Sequence, residues 1–210
     1  MKGRWMMKDI RNIALLLVIF TGVSIMYESD WYNQADQNIV LYFEQYRSPM
    51  VTEYFIFFTE FGSGRTLFPL LLVAAILLSF KRRAMEALFL FCCFFGSRLF
   101  NWLLKNGFER ERPSFNPLTD ENSYSFPSGH AMNSAAFFSF TGYLLIRYFP
   151  GCRFPIAGAM GLIIASIALS RVYLGVHFVT DITAGICAGL IWSILIKIGY
   201  KRTAVKFRQN

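Results

Sequence analysis

The chain has 210 residues, of which 55% are hydrophobic and 16% charged, and its formal net charge is +8. A soluble domain usually carries about 25% charged residues, so this composition argues against one. Basicity of this size can mark a nucleic-acid binder, but no nucleic-acid module is visible, and the distribution of the charges has another explanation.

The N-terminus, MKGRWMMKDIR, is basic and leads into an apolar run from Ile13 to Tyr27. So short a run fits a signal peptide or a first membrane helix. Gly22 and Ser24 are the only plausible cleavage context, so an uncleaved helix is preferred, with Arg11 snorkelling to lengthen it. From Glu28 to Ser63, aromatic and aliphatic residues recur among acids at spacings near three and four. This pattern predicts amphipathic helices along a membrane interface, divided at Pro49. Gly62 and Gly64 then break the chain. Apolar runs at 66–80, 84–104, 130–149, 156–173 and 178–198 reach or approach the roughly 17–25 residues that cross a bilayer. The expected fold class is all-α: a polytopic membrane protein, a six-transmembrane-helix bundle in one domain. Residues 1–65 would be the first span and an outer amphipathic segment, 66–198 a five-helix core, and 199–210 a basic cytoplasmic tail.

Charge orients the bundle. With the N-terminus in the cytoplasm and spans alternating, 14 of the 21 basic residues fall on the inner side and most acids on the outer. Every loop obeys the positive-inside rule, which accounts for the basicity. Trp5, Trp31 and Trp102 fit aromatic belts at the two boundaries. Cys92, Cys93, Cys152 and Cys187 show neither a disulfide framework nor metal-ligand spacing, and read as small core hydrophobes.

In this topology three polar stretches meet at the outer surface: KNGFERERP (105–113), SFPSGH (125–130) and SRVYLGVHFVTD (170–181). Both histidines of the chain lie in them. Lys105, Arg112 and Arg171 are three cations near one membrane face, suited to phosphate oxygens. Ser128 and Gly129 open a helix, whose N-terminal N–H groups attract an anion. His177 and Asp181 are four apart and share a helical face, so the carboxylate can orient the imidazole. His177 is then a candidate nucleophile forming a phosphohistidine, and His130, from another helix, a candidate general acid. Singly, each piece has a bland reading as a snorkelling charge, a helix start or a satisfied histidine. Their gathering at the same ends of four helices is what the bland readings leave unexplained.

The remaining polar residues read as structural. Arg98, seven before Lys105, is expected to pair with an acid inside the bundle. Asp120 and Glu121 are taken as solvated loop charges. Glu109 and Glu111 either position Arg110 or Arg112 or face solvent. Tyr173 is assigned to core packing.

These residues resemble the three-part signature of the type 2 phosphatidic acid phosphatase superfamily. Its first part, Lys, six residues, Arg-Pro, is met by Lys105 and Arg112-Pro113. Its second, Pro-Ser-Gly-His, is met at 127–130. Its third, Ser-Arg, five residues, His, three residues, Asp, is met by Ser170-Arg171, His177 and Asp181. The resemblance spans about residues 66–197 and implies a bundle of the type 2 phosphatidic acid phosphatase/vanadium haloperoxidase-like type. It implies phosphate binding by Lys105, Arg112, Ser128, Gly129 and Arg171, attack by His177 oriented by Asp181, and protonation of the leaving group by His130. Family members need no metal or other cofactor, and no carboxylate cluster suited to Mg²⁺ is seen. Within the family the chain looks like the bacterial phosphatidylglycerophosphate phosphatase B group. That group acts on phosphatidylglycerophosphate, phosphatidic acid and undecaprenyl pyrophosphate. The expected function is hydrolysis of a lipid phosphate at the outer face of the plasma membrane, with both termini cytoplasmic and no obligate protein partner evident. A dedicated undecaprenyl pyrophosphate phosphatase for cell-wall carrier recycling is the alternative. A lipid transporter is remote, because the polar groups sit at one end and no inverted repeat is present.

Overall fold

A computed structural model describes residues 2–206. Those residues form eight α-helices: α1 (Lys2–Met26), α2 (Asp30–Gln45), α3 (Pro49–Glu60), α4 (Gly64–Phe80), α5 (Ala84–Phe108), α6 (Gly129–Tyr148), α7 (Arg153–Tyr173) and α8 (Val179–Lys206), with a 3-10 turn at Pro150–Cys152. No strand occurs among the described residues. The first helix starts well before Ile13, because Trp5, Met6 and Ile10 continue its apolar pattern through the basic stretch. The last runs past Ile198, so Lys201 and Arg202 of the expected tail are helical. Residues 207–210 of that tail lie outside the described residues.

Four segments are long and apolar enough to cross a membrane: Trp5–Met26, Ala84–Phe108, Pro150–Tyr173 and Val179–Val205. α3 and α4, bent by 49° at their junction, make a fifth when taken as one broken span. Pro49 opens α3, and the Ser63 hydroxyl caps α4 by accepting from Thr66 N–H at 3.3 Å. The six spans expected are not reached by length and composition. The shortfall is α6, a 20-residue helix in which His130, Asn133 and Ser134 replace apolar residues.

α6 is apolar enough for its setting because the other helices surround it. Ala131, Ala135, Ala136 and Phe140 are fully buried. Its closest approach is to α8, where Gly185 and Gly189 face its backbone. A Cβ on Gly185 would lie 2.7 Å from the Ser128 carbonyl oxygen, and one on Gly189 would lie 2.3 Å from that of Met132. This is the small-residue contact that lets membrane helices touch backbone to backbone. Outward-facing Leu15, Val18, Ile76, Leu88, Leu99 and Leu162 are exposed instead, the surface a bilayer would solvate.

The outer segment packs more deeply than helices resting on an interface. Val40 and Asp36 of α2 are buried. α3 lies along α7, with Thr52 Oγ1 2.8 Å from the Tyr173 hydroxyl and the Tyr54 hydroxyl 3.2 Å from Ser166 Oγ. Between them, Arg47 donates to the carbonyls of Asn116 (2.8 Å) and Tyr173 (3.3 Å). Tyr173 is core, as expected, with its ring 4.6 Å from that of Phe55. Cys93 and Cys187 are buried, while Cys92 and Cys152 are exposed; all four are free.

Candidate active site

The C-terminal ends of α5 and α7 and the N-terminal ends of α6 and α8 meet at one end of the bundle. The loop 109–128 folds across them. Gly175, at φ +76°, turns the chain between α7 and α8 and presents His177 just before α8 begins.

His177 is 1% exposed and Asp181 is fully buried. His177 Nδ1 lies 3.3 Å from Asp181 Oδ2, and Arg112 Nη1 lies 3.2 Å from His177 Nε2. A guanidinium can only donate and a carboxylate only accept. The proton is therefore assigned to Nδ1, and the Nε2 lone pair faces Arg112. Burial pushes the His177 pKa well below the ordinary imidazole range, and the cations Arg112, Arg171 and Lys105 push it the same way. Both effects favour the neutral imidazole.

Asp181 is held on both oxygens. Oδ2 accepts from the Ser125 hydroxyl and from Phe178 N–H at 2.9 Å. Oδ1 accepts from Arg110 Nη1 at 2.7 Å. Arg110 in turn reaches Asp36 of α2 through Nη2 at 3.1 Å, and its guanidinium lies over the rings of Phe178 (4.2 Å) and Tyr27 (4.5 Å). Asp36 also accepts from Thr180 N–H at 3.2 Å. Arg110 is thus fixed by Asp36 and Asp181, not by Glu109 or Glu111. Neither Asp36 nor Ser125 was singled out in the sequence. Nothing in the spacing of Asp36 marks it, since it is one acid among several in an amphipathic helix.

The expected phosphate-binding residues converge on the same place. Lys105 and Arg112 both donate to the Ser123–Tyr124 turn, Lys105 through Nζ to Ser123 Oγ at 3.3 Å and Arg112 through Nε to Ser123 O at 2.6 Å. Arg112 Nη1 also donates to Val176 O at 2.7 Å. Burial lowers the Arg112 pKa from its ordinary value, opposed by Glu121 and Asp181. Arg171, 2% exposed, donates to Thr59 Oγ1 at 2.7 Å and pairs with Glu121. Glu121 lies 3.7 Å from Arg112 as well, so its carboxylate bridges two of the three expected phosphate ligands. It is not the free loop charge that its neighbour Asp120 suggested.

Ser128 and Gly129 begin α6 beside Asp181, whose carbonyl accepts from Ser128 N–H at 3.0 Å. Ser128 Oγ and Arg171 Nε are buried without a hydrogen-bond partner among the described residues. Such donors are rare and need an explanation. His130 projects from the first turn of α6 into a cleft it shares with Arg171 and Glu121, its ring against Gly62. Arg98 opens into the same cleft and has no ion pair among the described residues, contrary to the expected acid partner.

Comparison with known proteins identifies the family. The PAP2 superfamily model matches residues 86–203. Phosphatidylglycerophosphatase B of Bacillus subtilis is 34% identical over 201 residues, 93% of this chain and 97% of that protein. A Rhizobium etli lipid A 1-phosphatase is 33% identical over 57% of this chain and 53% of its own length. The crystal structure of a transmembrane PAP2 type phosphatidylglycerolphosphate phosphatase from Bacillus subtilis superimposes with a TM-score of 0.87 at 32% identity, over 91% of this chain and 96% of that one. A multi-pass helical chain with this match belongs to the PAP2 superfamily, an enzyme family that includes membrane lipid phosphatases.

Proposed function

We propose that the chain hydrolyses the terminal phosphate of a lipid phosphomonoester or diphosphate at the end of the bundle that carries His177. The observation that carries this reading is the Asp181–His177–Arg112 line. It aims an imidazole lone pair at a cluster of three cations, where a phosphate would sit. Lys105, Arg112 and Arg171 hold the phosphate oxygens, with Ser128 Oγ and the free N–H groups at the start of α6. His177 Nε2 attacks phosphorus, a P–N bond forms and the P–O bond to the lipid breaks. His130 gives its proton to the departing oxygen. Asp181 stabilises the charge that develops on the imidazole ring. Water then attacks phosphorus, His130 takes its proton back, and inorganic phosphate leaves with His177 restored.

The relatives and the apolar outer surface support a lipid substrate. Phosphatidylglycerophosphate, phosphatidic acid and undecaprenyl pyrophosphate all present the group this site suits. The positive-inside pattern supports cytoplasmic termini and a reaction at the outer face, with α6 the sixth span shielded by its neighbours. A dedicated undecaprenyl pyrophosphate phosphatase shares the same chemistry, and no observation favours it. The test is phosphate release by the purified chain from these lipids in one detergent, with and without chelator. Turnover is expected to survive chelator and to be inhibited by vanadate, a mimic of five-coordinate phosphorus. Absence of release from every lipid phosphate would sink the proposal.

Glu121 bears on the same site. Its carboxylate occupies Arg112 and Arg171, so an incoming phosphate must displace it. Glu121→Gln is expected to tighten vanadate inhibition and lower KM by about tenfold, the equivalent of about 1.4 kcal/mol. An unchanged KM would show that Glu121 does not compete.

A further inference from the structure

We infer that Arg98, with Arg65, forms a second anion subsite beside His130, which takes a second anionic phosphorus group on the same headgroup. The inference rests on the lipid-phosphate reading above. It starts from the cleft, about 720 Å³ in volume, that His130, Arg171 and Glu121 share with Arg65 and Arg98.

Arg98 lies in α5 ten residues before its end at Phe108, about 15 Å along the helix. α5 is one of the candidate spans. A guanidinium at such depth is costly unless it is paired or lines an open cavity, and it marks function by default. Arg98 is exposed to the cleft, and its guanidinium lies 5.6 Å from the centre of the Phe94 ring. Neither Arg98 nor Arg65 forms an ion pair among the described residues, although Glu60 and Asp120 also line the cleft. Glu60 accepts from the Ser63 hydroxyl at 3.4 Å.

The α3–α4 junction fixes where the subsite lies. A Cβ on Gly62 would meet His130 Cδ2 at 3.2 Å, and one on Gly64 would meet Arg98 Nη1 at 2.7 Å. Gly62 and Gly64 are two positions apart, at most roughly 7 Å of chain. The guanidinium of Arg98 therefore rests against the first residue of α4, within a headgroup's reach of the leaving-group side of the site. Arg65 is the next residue. The leading N–H groups of Gly64 and Arg65 lack intrahelical acceptors and add to the positive potential there, while that of Thr66 is capped by Ser63. A headgroup with two phosphorus groups can fill both sites, whether the bridge is a single oxygen or a glycerol. Phosphatidic acid, with one, leaves the second site unfilled.

The test uses non-hydrolysable probes and calorimetry on the purified full-length chain in detergent. Methylphosphonate fills one site; methylenediphosphonate and pentane-1,5-diphosphonate offer short and glycerol-length bridges. In the wild type at least one diphosphonate is expected to bind about tenfold more tightly than methylphosphonate. The bridge that gains identifies the source as a diphosphate or a glycerol-linked pair. Arg98→Gln is expected to bring that ratio within about twofold, and Arg98→Lys to keep most of it. Arg153→Gln, the same charge change on the exposed opposite end of α7, should leave the ratio intact. If methylphosphonate binds and the diphosphonates do no better, or the ratio survives Arg98→Gln, the subsite is overturned while the lipid-phosphate reading stands. If no probe binds the wild type, both fall.

Discussion

Replacing His177 by alanine is expected to reduce phosphate release by roughly 10³-fold or more, because the proposed mechanism makes its Nε2 the atom that attacks phosphorus. The fold should survive, since the Asp181 carboxylate keeps Arg110, Ser125 and Phe178 N–H as partners. Helicity and detergent thermal melting check that point. His177→Asn, a polar replacement unable to form the phosphohistidine, should be as inactive. Wild-type chain quenched during turnover should carry an acid-labile phosphoryl group that both variants lack. Substantial activity in either variant would rule out the nucleophile assignment. The pH profile offers a second check. The folded pKa of His177 is depressed below about 6.5 by burial and its cationic neighbours. Protonation of His177 should therefore limit kcat/KM only below that value. The same shift makes the unfolded chain bind the extra proton first, so the stability it represents is lost as pH falls below about 6.5. An acid limb at or above 6.5 that disappears in no other variant would contradict a neutral, buried nucleophile.

The second large effect is expected at Arg110, which lies outside the three-part signature. Arg110→Met would leave Asp36 and Asp181, 3% exposed and fully buried, as two carboxylates without their shared cation. Breaking a buried pair in this way typically costs about 3–5 kcal/mol. We expect a clear fall in melting temperature and a loss of kcat of about 10²-fold, because Asp181 no longer aims His177. A positioning role and a merely structural one differ in KM. The Arg110 guanidinium is taken up by Thr180, Asp181 and Asp36, so kcat should fall with KM little changed, and Arg110→Lys should restore part of it. Asp36→Asn is the milder probe, since it keeps shape and removes one charge. If Arg110→Met loses stability but keeps wild-type kcat, the network is structural only.

Arg110 also shows where sequence reading stops. The signature residues were legible because fixed spacing on helices fixes their faces. His177 and Asp181 share a face at four apart, and Lys105 and Arg112 bracket one helix end. The partner that holds Asp181 in place comes from two elements whose approach no local pattern encodes. Asp36 meets Arg110 74 positions away. Glu121 reads as solvated in the sequence for the same reason: a loop acid gains a partner only once the loop is folded over the helix ends. Arg98 erred in the other direction. It shares α5 with Lys105, but it forms no ion pair among the described residues and opens into a cleft that Glu60, Asp120 and Glu121 also line.

The sequence by itself determined the helical class, the approximate helix positions and the family signature, and it set the expectations for the bundle's direction and the phosphate chemistry. Each follows from short-range quantities: apolar run length, charge between runs, and spacing within a few helical turns. Tertiary structure decided that α6 is the shielded centre, that α2 and α3 are packed parts of the bundle, and that Asp36, Arg110, Ser125 and Glu121 belong to the site. These depend on which surfaces meet. Helix packing is set by the fit of many small side chains, such as Gly185 and Gly189 against the α6 backbone, and that fit exists only once the helices are assembled.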